Sequence, residues 1–251
     1  MRQIVYNTNE ILLDEGLFFA KSVFETILWA DRPMFLDIHM ERLEKSLKIL
    51  EMKPLEKNEL LSFLEELNIK NRAVKIVVTP LNIIITDREI PYKDKDYKKG
   101  FNMTFSKVIR NSTSRFTYIK STAYIENIIE KKNAVKRGFN DVIFLNEKGF
   151  ITETSCANIF IVKDNAIFTP KVKDGLLSGI IRRWIIENHN IIEKSITARE
   201  LKNADEVFIT NSLVGTMKIN SIDDIIYDNT EVYGLIKNNF ENARRYYGGL
   251  V

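Results

Sequence analysis

Two residues of this chain could carry covalent or acid–base chemistry. Lys120 ends a polar stretch just before a predicted helix, and a lysine that is desolvated there could act as an amine nucleophile. Glu153 lies in "FITETSCANIF" (150–160), between apolar runs that are typical of buried strands, where an ionised carboxylate needs a positive partner. Taken alone, a solvated lysine explains Lys120 more simply, and a strand-end glutamate in water explains Glu153 equally well.

Three further features could bind an anion. In "LLSGIIRR" (176–183) a glycine directly precedes a predicted helix, whose first N–H groups lie at the positive end of the helix dipole. The stretch "TNS" (210–212) follows an apolar strand and could complete a phosphate site with its hydroxyls and backbone. Arg42, on an earlier predicted helix, could clamp a phosphate through two parallel hydrogen bonds. The ordinary alternatives are a plain helix start, a polar turn and a surface arginine.

The composition excludes several classes of protein. With 251 residues and 45% hydrophobic content, the chain can form one or two domains with a sizeable core. Its net charge of +3 arises from 37 basic and 34 acidic residues without a basic cluster, so no nucleic-acid partner is expected. One cysteine, Cys156, and two histidines argue against a disulfide framework and a metal site. Without a signal peptide or a long apolar run, we expect a soluble, cytoplasmic protein that has no membrane partner.

The first half of the chain is predicted to be α+β. Met40, Leu43 and Leu47 recur at helical spacing, with Asp37 as a plausible N-cap. The stretch "KDKDYKKG" (93–100) mixes charges of both signs and is predicted to be a solvated loop. The predicted elements are strands at 22–31, 73–80, 82–87 and 101–109, and helices within 33–52 and at 55–67.

The second half alternates hairpins with helices. The stretch "TARE" (197–200) fits a capping box before a short helix. The other predicted elements are helices at 122–138, 178–189 and 231–248, hairpins at 141–153 and 157–170, and a strand at 206–212. The polar composition of 110–119 predicts an interdomain linker between a small N-terminal α+β domain (1–109) and a larger C-terminal cofactor-binding domain (120–251).

Common enzyme motifs are absent from the sequence. It has no P-loop, no G-x-G-x-x-G, no G-x-S-x-G and no H-E-x-x-H. In their order and spacing, however, its stretches resemble the fold-type IV pyridoxal-phosphate enzymes, the class IV aminotransferase family. The resemblance covers most of residues 14–220. The matching segments are "SVFETI", "HMERLEKS", the stretch from "IKSTAY" to "AIFTP", "GLLSGIIRR" and "DEVFITNS".

The resemblance implies a two-domain α+β / α/β architecture of the D-amino acid aminotransferase type, pyridoxal 5'-phosphate as cofactor, a small-molecule substrate and a homodimer. Lys120 matches the lysine that bonds to the cofactor aldehyde and moves protons to and from the substrate carbon. Glu153 matches the carboxylate that pairs with the pyridine nitrogen and keeps its proton on. The residues that match phosphate contacts are Arg42 in the H-x-x-R-L pattern, Ile180 and Ile181 at the helix start, and Ser212.

Three activities share this pattern: branched-chain aminotransferase, D-amino acid aminotransferase and 4-amino-4-deoxychorismate lyase. After Val-Phe-Glu, branched-chain enzymes typically carry Gly, D-amino acid enzymes Val and lyases Thr; here the residue is Thr26, whose hydroxyl could hydrogen-bond the reacting substrate. An ordinary β-branched strand residue is the alternative. The short chain favours the lyase. So does the stretch 79–82, which reads Thr-Pro-Leu-Asn where the aminotransferases tend to carry an arginine motif.

The resemblance therefore implies a pyridoxal-phosphate-dependent lyase that converts 4-amino-4-deoxychorismate to 4-aminobenzoate and pyruvate, a step of folate biosynthesis. Lys120 and Thr26 are the predicted catalytic residues, and Arg110 or Arg115 in the linker is expected to bind a substrate carboxylate. One alternative is a class IV aminotransferase that acts on branched-chain L-amino acids or D-amino acids. The other is a non-catalytic dimeric scaffold of the same fold.

Overall fold

The computed structural model describes residues 1–249, which divide into two compact units. The first unit comprises Met1–Pro91, Ile119–Ala123 and residues 243–249. The second unit comprises Tyr92–Tyr118 and Tyr124–Asn242. The chain thus returns briefly to the first unit at the five-residue segment that contains Lys120.

The first unit is built on a four-stranded sheet with the strand order β1-β4-β3-β2. Strand β3 is antiparallel to both β2 and β4, and β1 is parallel to β4. Its core is formed by apolar side chains of the sheet and of helices α2 and α3. The elements are β1 (Gln3–Tyr6), α1 (Glu15–Phe19), β2 (Val23–Trp29), α2 (Leu36–Ile49), α3 (Lys57–Glu66), β3 (Arg72–Val78) and β4 (Asn82–Arg88).

Helix α2 covers one face of this sheet because its apolar residues recur at helical spacing. Met40, Leu43 and Leu47 are at most 1% exposed and pack in the core of the first unit. The predicted N-cap is wrong: Phe35 caps the helix with a left-handed backbone (φ 54°) and no side-chain hydrogen bond. Asp37 lies instead in the first turn, where the helix dipole still favours a carboxylate.

The second unit contains most of the strands. They join in the order β10-β9-β8-β11-β12-β5-β6-β7, with β13 paired to β12. Short 3-10 helices occupy Arg115–Tyr118 and Val172–Asp174. The other elements are α4 (Asp94–Lys99), β5 (Phe101–Arg110), α5 (Ile125–Lys136), β6 (Asp141–Asn146), β7 (Ile151–Thr154), β8 (Asn158–Lys163), β9 (Ala166–Thr169), α6 (Ile180–Asn188), β10 (Ile191–Glu193), α7 (Ala198–Lys202), β11 (Glu206–Asn211), β12 (Gly215–Ile222), β13 (Ile225–Ile226) and α8 (Glu231–Gly248), whose residues beyond 242 belong to the first unit.

The sheet of the second unit closes on itself. Strand β7 pairs with β6 on one side and with β8 on the other, so six strands form a closed ring. The pairing that closes the ring joins Glu153 of β7 to Asn158 of β8. The two ends of the stretch 150–160 are therefore held together by backbone pairing. The predicted mixed fold of helices and strands is confirmed.

The domain boundary differs from the prediction. Strand β5 was assigned to the small N-terminal domain, yet it pairs in parallel with β6 and β12 of the second unit. The contact-based division therefore falls at Pro91, and the segment 119–123 returns to the first unit. Parallel pairing joins strands that are far apart in sequence, so the composition of β5 could not reveal its partners. The predicted loop at 93–100 also differs, because it contains helix α4.

Local signals predicted other elements correctly. The capping box before α7 is confirmed, since Thr197 Oγ1 accepts a hydrogen bond from Glu200 N–H while the Glu200 carboxylate accepts one from Thr197 N–H. Besides α4, the helices and strands that the prediction missed are β1, α1, β10, β12 and β13. Within residues 1–249, none of the helices combines the length and apolar character that a membrane span requires.

The carboxylate of Asp14 closes the turn between β3 and β4. It accepts hydrogen bonds from the Thr79 hydroxyl (2.5 Å), the Leu81 N–H (2.8 Å), the Asn82 side-chain amide (3.1 Å) and the Gly16 N–H (2.8 Å). Burial tends to raise the pKa of Asp14, but the hydrogen bonds from Thr79, Leu81 and Gly16 outweigh it and the pKa lies below its ordinary value. The stretch 79–82 is therefore tied to an ionised carboxylate.

Replacing Asp14 with Asn should lower the free energy of unfolding by about 1–3 kcal/mol at neutral pH, because an amide cannot accept all of these hydrogen bonds. The pKa is lowered in the folded state, so the stabilisation is complete above the ordinary pKa of Asp and disappears as the pH falls through the folded value. Urea unfolding at neutral and acidic pH should show the difference between variant and wild type shrinking below about pH 4.

The control is Asp164→Asn, which changes an exposed carboxylate at the tip of the β8–β9 hairpin. Its left-handed backbone (φ 49°) also suits Asn, so little change in stability is expected. Equal effects of the two substitutions at neutral pH would contradict the role given to Asp14.

Candidate active site

Lys120 is fixed against the edge strand of the first unit. Its carbonyl accepts a hydrogen bond from the Phe24 N–H of β2 (2.8 Å), and Ser121 forms an antiparallel bridge with Val23. The side chain of Lys120 then lies over the Phe24 ring, with Nζ 4.5 Å from the ring centroid. Lys120 was predicted to begin the C-terminal domain, but these backbone contacts make its segment an extension of the first unit's sheet.

Thr26 and Lys75 lie on the same face of this sheet as Phe24. Thr26 is two residues beyond Phe24 on β2, and the β2–β3 register places Lys75 directly opposite Thr26. The Lys75 Nζ also lies 4.5 Å from the centroid of the Phe24 ring, so one aromatic ring contacts two ammonium groups. Two predicted catalytic residues, Lys120 and Thr26, thus share one face of the first unit.

Lys75 was missed by the sequence analysis. Burial, followed by the charge of Arg88, lowers the pKa of Lys75 below its ordinary value. Among residues 1–249 the structure records no carboxylate within ion-pair distance of Lys75. A usable signal was present in "AVKIVV" (73–78), where a single charge interrupts an apolar strand. Lys75 is exposed, so its ammonium group is accessible to an anion from solution.

Arg42 meets a buried carboxylate on the opposite face of β2. Its Nε and Nη2 atoms donate to Oε1 and Oε2 of Glu25, at 2.7 and 2.6 Å. His39, three residues earlier on α2, places Nδ1 at 2.6 Å from the same Glu25 Oε2. Both Glu25 and His39 are 1% exposed. The sequence analysis assigned Arg42 to a phosphate and did not identify its ion pair with Glu25.

Burial and neighbouring charges shift the pKa values of Glu25 and His39. Burial alone would raise the pKa of Glu25, but the charges of Arg42 and His39 and their hydrogen bonds hold it at about 2. Burial lowers the pKa of His39, opposed by Glu25 and reinforced by Arg42 and Lys120. At neutral pH Glu25 is therefore ionised and His39 is neutral, and the positive charge that balances Glu25 resides on Arg42.

Glu153 is positioned by the strand pairing that closes the ring of the second unit. Its Oε2 accepts a hydrogen bond from the Leu177 N–H at 3.1 Å. The side-chain amide of its cross-strand partner, Asn158, donates to the Leu177 carbonyl at 2.8 Å. The N–H and the carbonyl of Leu177, in the loop before α6, are thereby both bonded to the β7–β8 pair.

The start of α6 lies against Asn158, and the close approach favours glycine. A Cβ atom at Gly179 would lie 2.0 Å from Asn158 Oδ1, so a larger residue fits only if the Asn158 side chain moves and its hydrogen bond to the Leu177 carbonyl is disturbed. Gly179 is the N-cap and supplies no side chain to the helix, so the first N–H groups, at Ile180 and Ile181, remain open to an anion. This arrangement suits a phosphate group.

The turn after β11 adds polar groups to the same region of the second unit. Asn211 Oδ1 accepts hydrogen bonds from the Leu213 and Val214 N–H groups and shapes the turn that contains Ser212. Thr210, which pairs with Asn158, is 1% exposed, and its hydroxyl has no hydrogen-bond partner among the described residues. A buried hydroxyl without a partner beside an uncapped helix start fits an oxygen-rich ligand group such as a phosphate.

The two arginines predicted to bind substrate have different surroundings. Arg110 donates from Nη1 to Glu126 (3.0 Å) and from Nη2 to Asn127 (2.8 Å), and its guanidinium lies 3.8 Å from the centroid of the Phe144 ring. Arg115 is exposed in a 3-10 helix of the second unit. The structure gives Arg110 a set of partners of its own, and the prediction for either residue stays a prediction. Residues 1–249 contain no cluster of His, Cys, Asp or Glu that could hold a metal ion.

Comparisons with known proteins agree with this geometry. Residues 22–222 match the family described as "Amino-transferase class IV". The "Aminodeoxychorismate lyase" of Bacillus subtilis is 30% identical over 242 residues, which cover 85% of this chain and 82% of that protein.

Two solved structures have the same fold. A "Putative 4-amino-4-deoxychorismate lyase" from Legionella pneumophila superimposes with a TM-score of 0.85 at 25% identity, over 96% of this chain and 98% of that one. The branched-chain aminotransferase of Thermoproteus uzoniensis gives 0.82 at 26% identity, over 94% and 88%. Enzymes of this family depend on pyridoxal 5'-phosphate, the cofactor that the sequence predicted. The chain therefore belongs to the class IV aminotransferase family and is a pyridoxal-phosphate-dependent enzyme of fold type IV.

Proposed function

We propose that this enzyme is an aminodeoxychorismate lyase, which converts 4-amino-4-deoxychorismate to 4-aminobenzoate and pyruvate. The observation that carries the proposal is the face of the first unit on which a hydroxyl and a cation accompany Lys120. The substrate has a leaving enolpyruvyl oxygen and two carboxylates. Thr26 supplies a donor for the oxygen, and Lys75 supplies a cation for a carboxylate.

The turn at 79–82 also supports a lyase. The aminotransferases that this chain resembles tend to carry an arginine motif there, which holds a substrate carboxylate. In this protein the Asp14 carboxylate occupies the turn and takes its hydrogen-bond donors. An ionised Asp14 repels a second carboxylate, so this turn is unsuited to the oxo acids that transamination requires.

Different residues are assigned to three parts of the cofactor: the aldehyde, the ring nitrogen and the phosphate. Bound pyridoxal phosphate supplies an electron-withdrawing ring that stabilises negative charge on the substrate carbon. In this proposal Lys120 bonds to the cofactor aldehyde, and the Glu153 carboxylate keeps a proton on the ring nitrogen. The proposed phosphate ligands are Arg42, the N–H groups of Ile180 and Ile181, and Ser212.

The side chains on the Lys120 face then account for the elimination. With the substrate amine in place of Lys120 on the cofactor aldehyde, the free Lys120 Nζ would remove the proton from the amine-bearing carbon, and the ring carbon–oxygen bond would break. Thr26 donates a hydrogen bond to the departing oxygen while Lys75 neutralises a carboxylate. The enolpyruvate takes up a proton to become pyruvate, so no water and no second substrate are consumed. Aromatisation of the remaining ring drives the reaction forward.

A homodimer is proposed as the working form. In the first unit, consecutive apolar side chains around α1 are exposed: Leu13, Leu17, Phe18 and Phe19, at 56 to 79%. In the second unit, apolar side chains along α5 are exposed: Ile125, Ile128, Ile129 and Val135, at 42 to 64%. Apolar patches of this kind mark protein contacts. The family resemblance implies that the partner is a second copy of the chain.

A class IV aminotransferase is the second candidate, favoured by the likeness to the Thermoproteus uzoniensis enzyme. Purified enzyme should release 4-aminobenzoate from 4-amino-4-deoxychorismate and should not transaminate L-leucine, L-valine or D-alanine with 2-oxoglutarate. Chromatography of parallel reactions measures both activities. Transamination without aminobenzoate formation would reverse the assignment, and failure of both reactions would favour a non-catalytic scaffold.

Replacing Lys120 with Ala should lower lyase turnover at least about a thousandfold, because the proton-transferring amine is lost. Borohydride treatment of wild-type holoenzyme should bleach its visible absorbance and leave a pyridoxyl group on Lys120, detectable by peptide mass spectrometry. The control Lys148→Ala, at the exposed β6–β7 turn, should behave as wild type. Substantial turnover by Lys120→Ala would contradict the role of Lys120.

Replacing Lys75 with Gln should raise KM for aminodeoxychorismate about 10- to 100-fold, the cost of losing a hydrogen bond to a charged group. The affinity for pyridoxal phosphate should not change, and Lys75→Arg should retain most of the substrate affinity. Steady-state kinetics and cofactor titration measure the two effects. The control is Lys53→Gln at an exposed position. An unchanged KM in Lys75→Gln would exclude Lys75 from substrate binding.

A further inference from the structure

The pairing of Glu25 with Arg42 restricts the orientation of the guanidinium as well as balancing its charge. Both carboxylate oxygens are used, one by Nε and the other by Nη2, so two hydrogen bonds join two planar groups side by side. A single contact would leave the Arg42 plane free to rotate, whereas this fork sets it. The side chains of Glu25 and Arg42 are 1% and 14% exposed, so water competes little for these bonds.

Glu25 is itself rigidly anchored. It lies on β2 between Val23 and Ile27, which point to the same face of the strand and are both 0% exposed. His39 Nδ1 contacts Glu25 Oε2 at 2.6 Å from the face of α2 that also presents Arg42. Because His39 is neutral, its Nδ1–H donates to the carboxylate without adding charge. The carboxylate therefore has three N–H donors and one counter-ion.

We propose that Glu25 and His39 are positioning residues that hold the Arg42 guanidinium in the orientation in which it binds the cofactor phosphate. The inference deepens the proposed function, in which Arg42 is a phosphate ligand. An arginine side chain carries considerable rotamer freedom, and an arginine whose plane is already set loses less of it when the anion binds. Glu25 thus contributes to phosphate affinity through Arg42 even though its own charge repels an anion.

The two effects of Glu25 have opposite signs, which makes the inference testable. If Glu25 mainly cancels the charge of Arg42, then Glu25→Gln should tighten the binding of a phosphate. If Glu25 positions Arg42, the same substitution should weaken it. The variant conserves the size of the side chain and removes only the charge and part of the fork.

The experiment compares two ligands of the apoprotein, pyridoxal phosphate and pyridoxal, which differ only in the phosphate. Glu25→Gln should raise the Kd of pyridoxal phosphate about tenfold and leave that of pyridoxal unchanged. The matched control is Glu44→Gln, an exposed glutamate on α2, the helix that carries Arg42; it should change neither value. An unchanged or lower Kd for pyridoxal phosphate, or an equal loss for both ligands, would overturn the inference.

Arg42→Gln separates this inference from the proposed function. If Arg42→Gln leaves the Kd of pyridoxal phosphate unchanged, the assignment of Arg42 to the phosphate fails. If Arg42→Gln weakens binding and Glu25→Gln does not, only the positioning role fails. In the double variant, the effect of Glu25→Gln should vanish, because Glu25 acts through Arg42. If the effects of the two substitutions on the Kd of pyridoxal phosphate add, then Glu25 does not act through Arg42.

A spectroscopic readout distinguishes positioning from a merely structural role. The charged groups that act on His39 are Glu25, Arg42 and Lys120, and the chain has only one other histidine, His189. In wild-type protein, imidazole 15N spectra should show a neutral His39 that carries its proton on Nδ1. In Arg42→Gln, His39 should be protonated at the same pH, since Glu25 then needs a new counter-ion. A neutral His39 in that variant would show that Arg42 does not control the protonation of His39, and would contradict the coupling of Glu25, His39 and Arg42.

A second variant keeps the test decisive if Glu25→Gln does not fold. His39→Leu replaces the imidazole with an apolar side chain, so the carboxylate loses one donor while the Glu25–Arg42 ion pair stays in place. It should raise the Kd of pyridoxal phosphate by a smaller factor than Glu25→Gln and leave that of pyridoxal unchanged. Circular dichroism establishes that the variants are folded. If the substitution changes the Kd of pyridoxal phosphate and that of pyridoxal by the same factor, the positioning role of His39 and of Glu25 is overturned.

Discussion

A single backbone hydrogen bond determines where the proposed chemistry takes place. The Phe24 N–H donates to the Lys120 carbonyl and joins a distant segment of the chain to the edge of β2. Because that segment is extended along the strand, the Lys120 side chain reaches the Phe24 ring. The register of β2 and β3 then places Thr26 and Lys75 on the same face as the Phe24 ring that Lys120 contacts.

Successive side chains of β2 point to opposite faces of the sheet, and each face has its own proposed function. One face presents Phe24 and Thr26 beside Lys120, where a proton can be moved and a carboxylate neutralised. The other face buries Glu25 with Arg42 from helix α2, so that a positive charge is held in one orientation. Because both faces belong to one short strand, the group that moves the proton and the group assigned to the phosphate depend on the same local register.

Much of the fold and the candidate site could be predicted because the relevant signals are local. Helical spacing, a capping box and the order of polar stretches around Lys120 and Glu153 are visible in the sequence. The ion pair between Glu25 and Arg42 is not, since it depends on how α2 packs on the sheet. The assignment of β5 to the wrong domain has the same origin, because the composition of a strand does not identify the distant strands with which it pairs. Lys75 was detectable as a charge in an apolar strand, but its neighbour Phe24 was not.

The most direct test of the lyase assignment is to count products per active site with 4-amino-4-deoxychorismate as the sole substrate and no oxo acid present. An elimination that consumes no second substrate should form 4-aminobenzoate and pyruvate in equal amounts through many turnovers. A reaction that stops after one turnover and resumes only when 2-oxoglutarate is added would contradict the account, because it would show that the enzyme transfers the amino group.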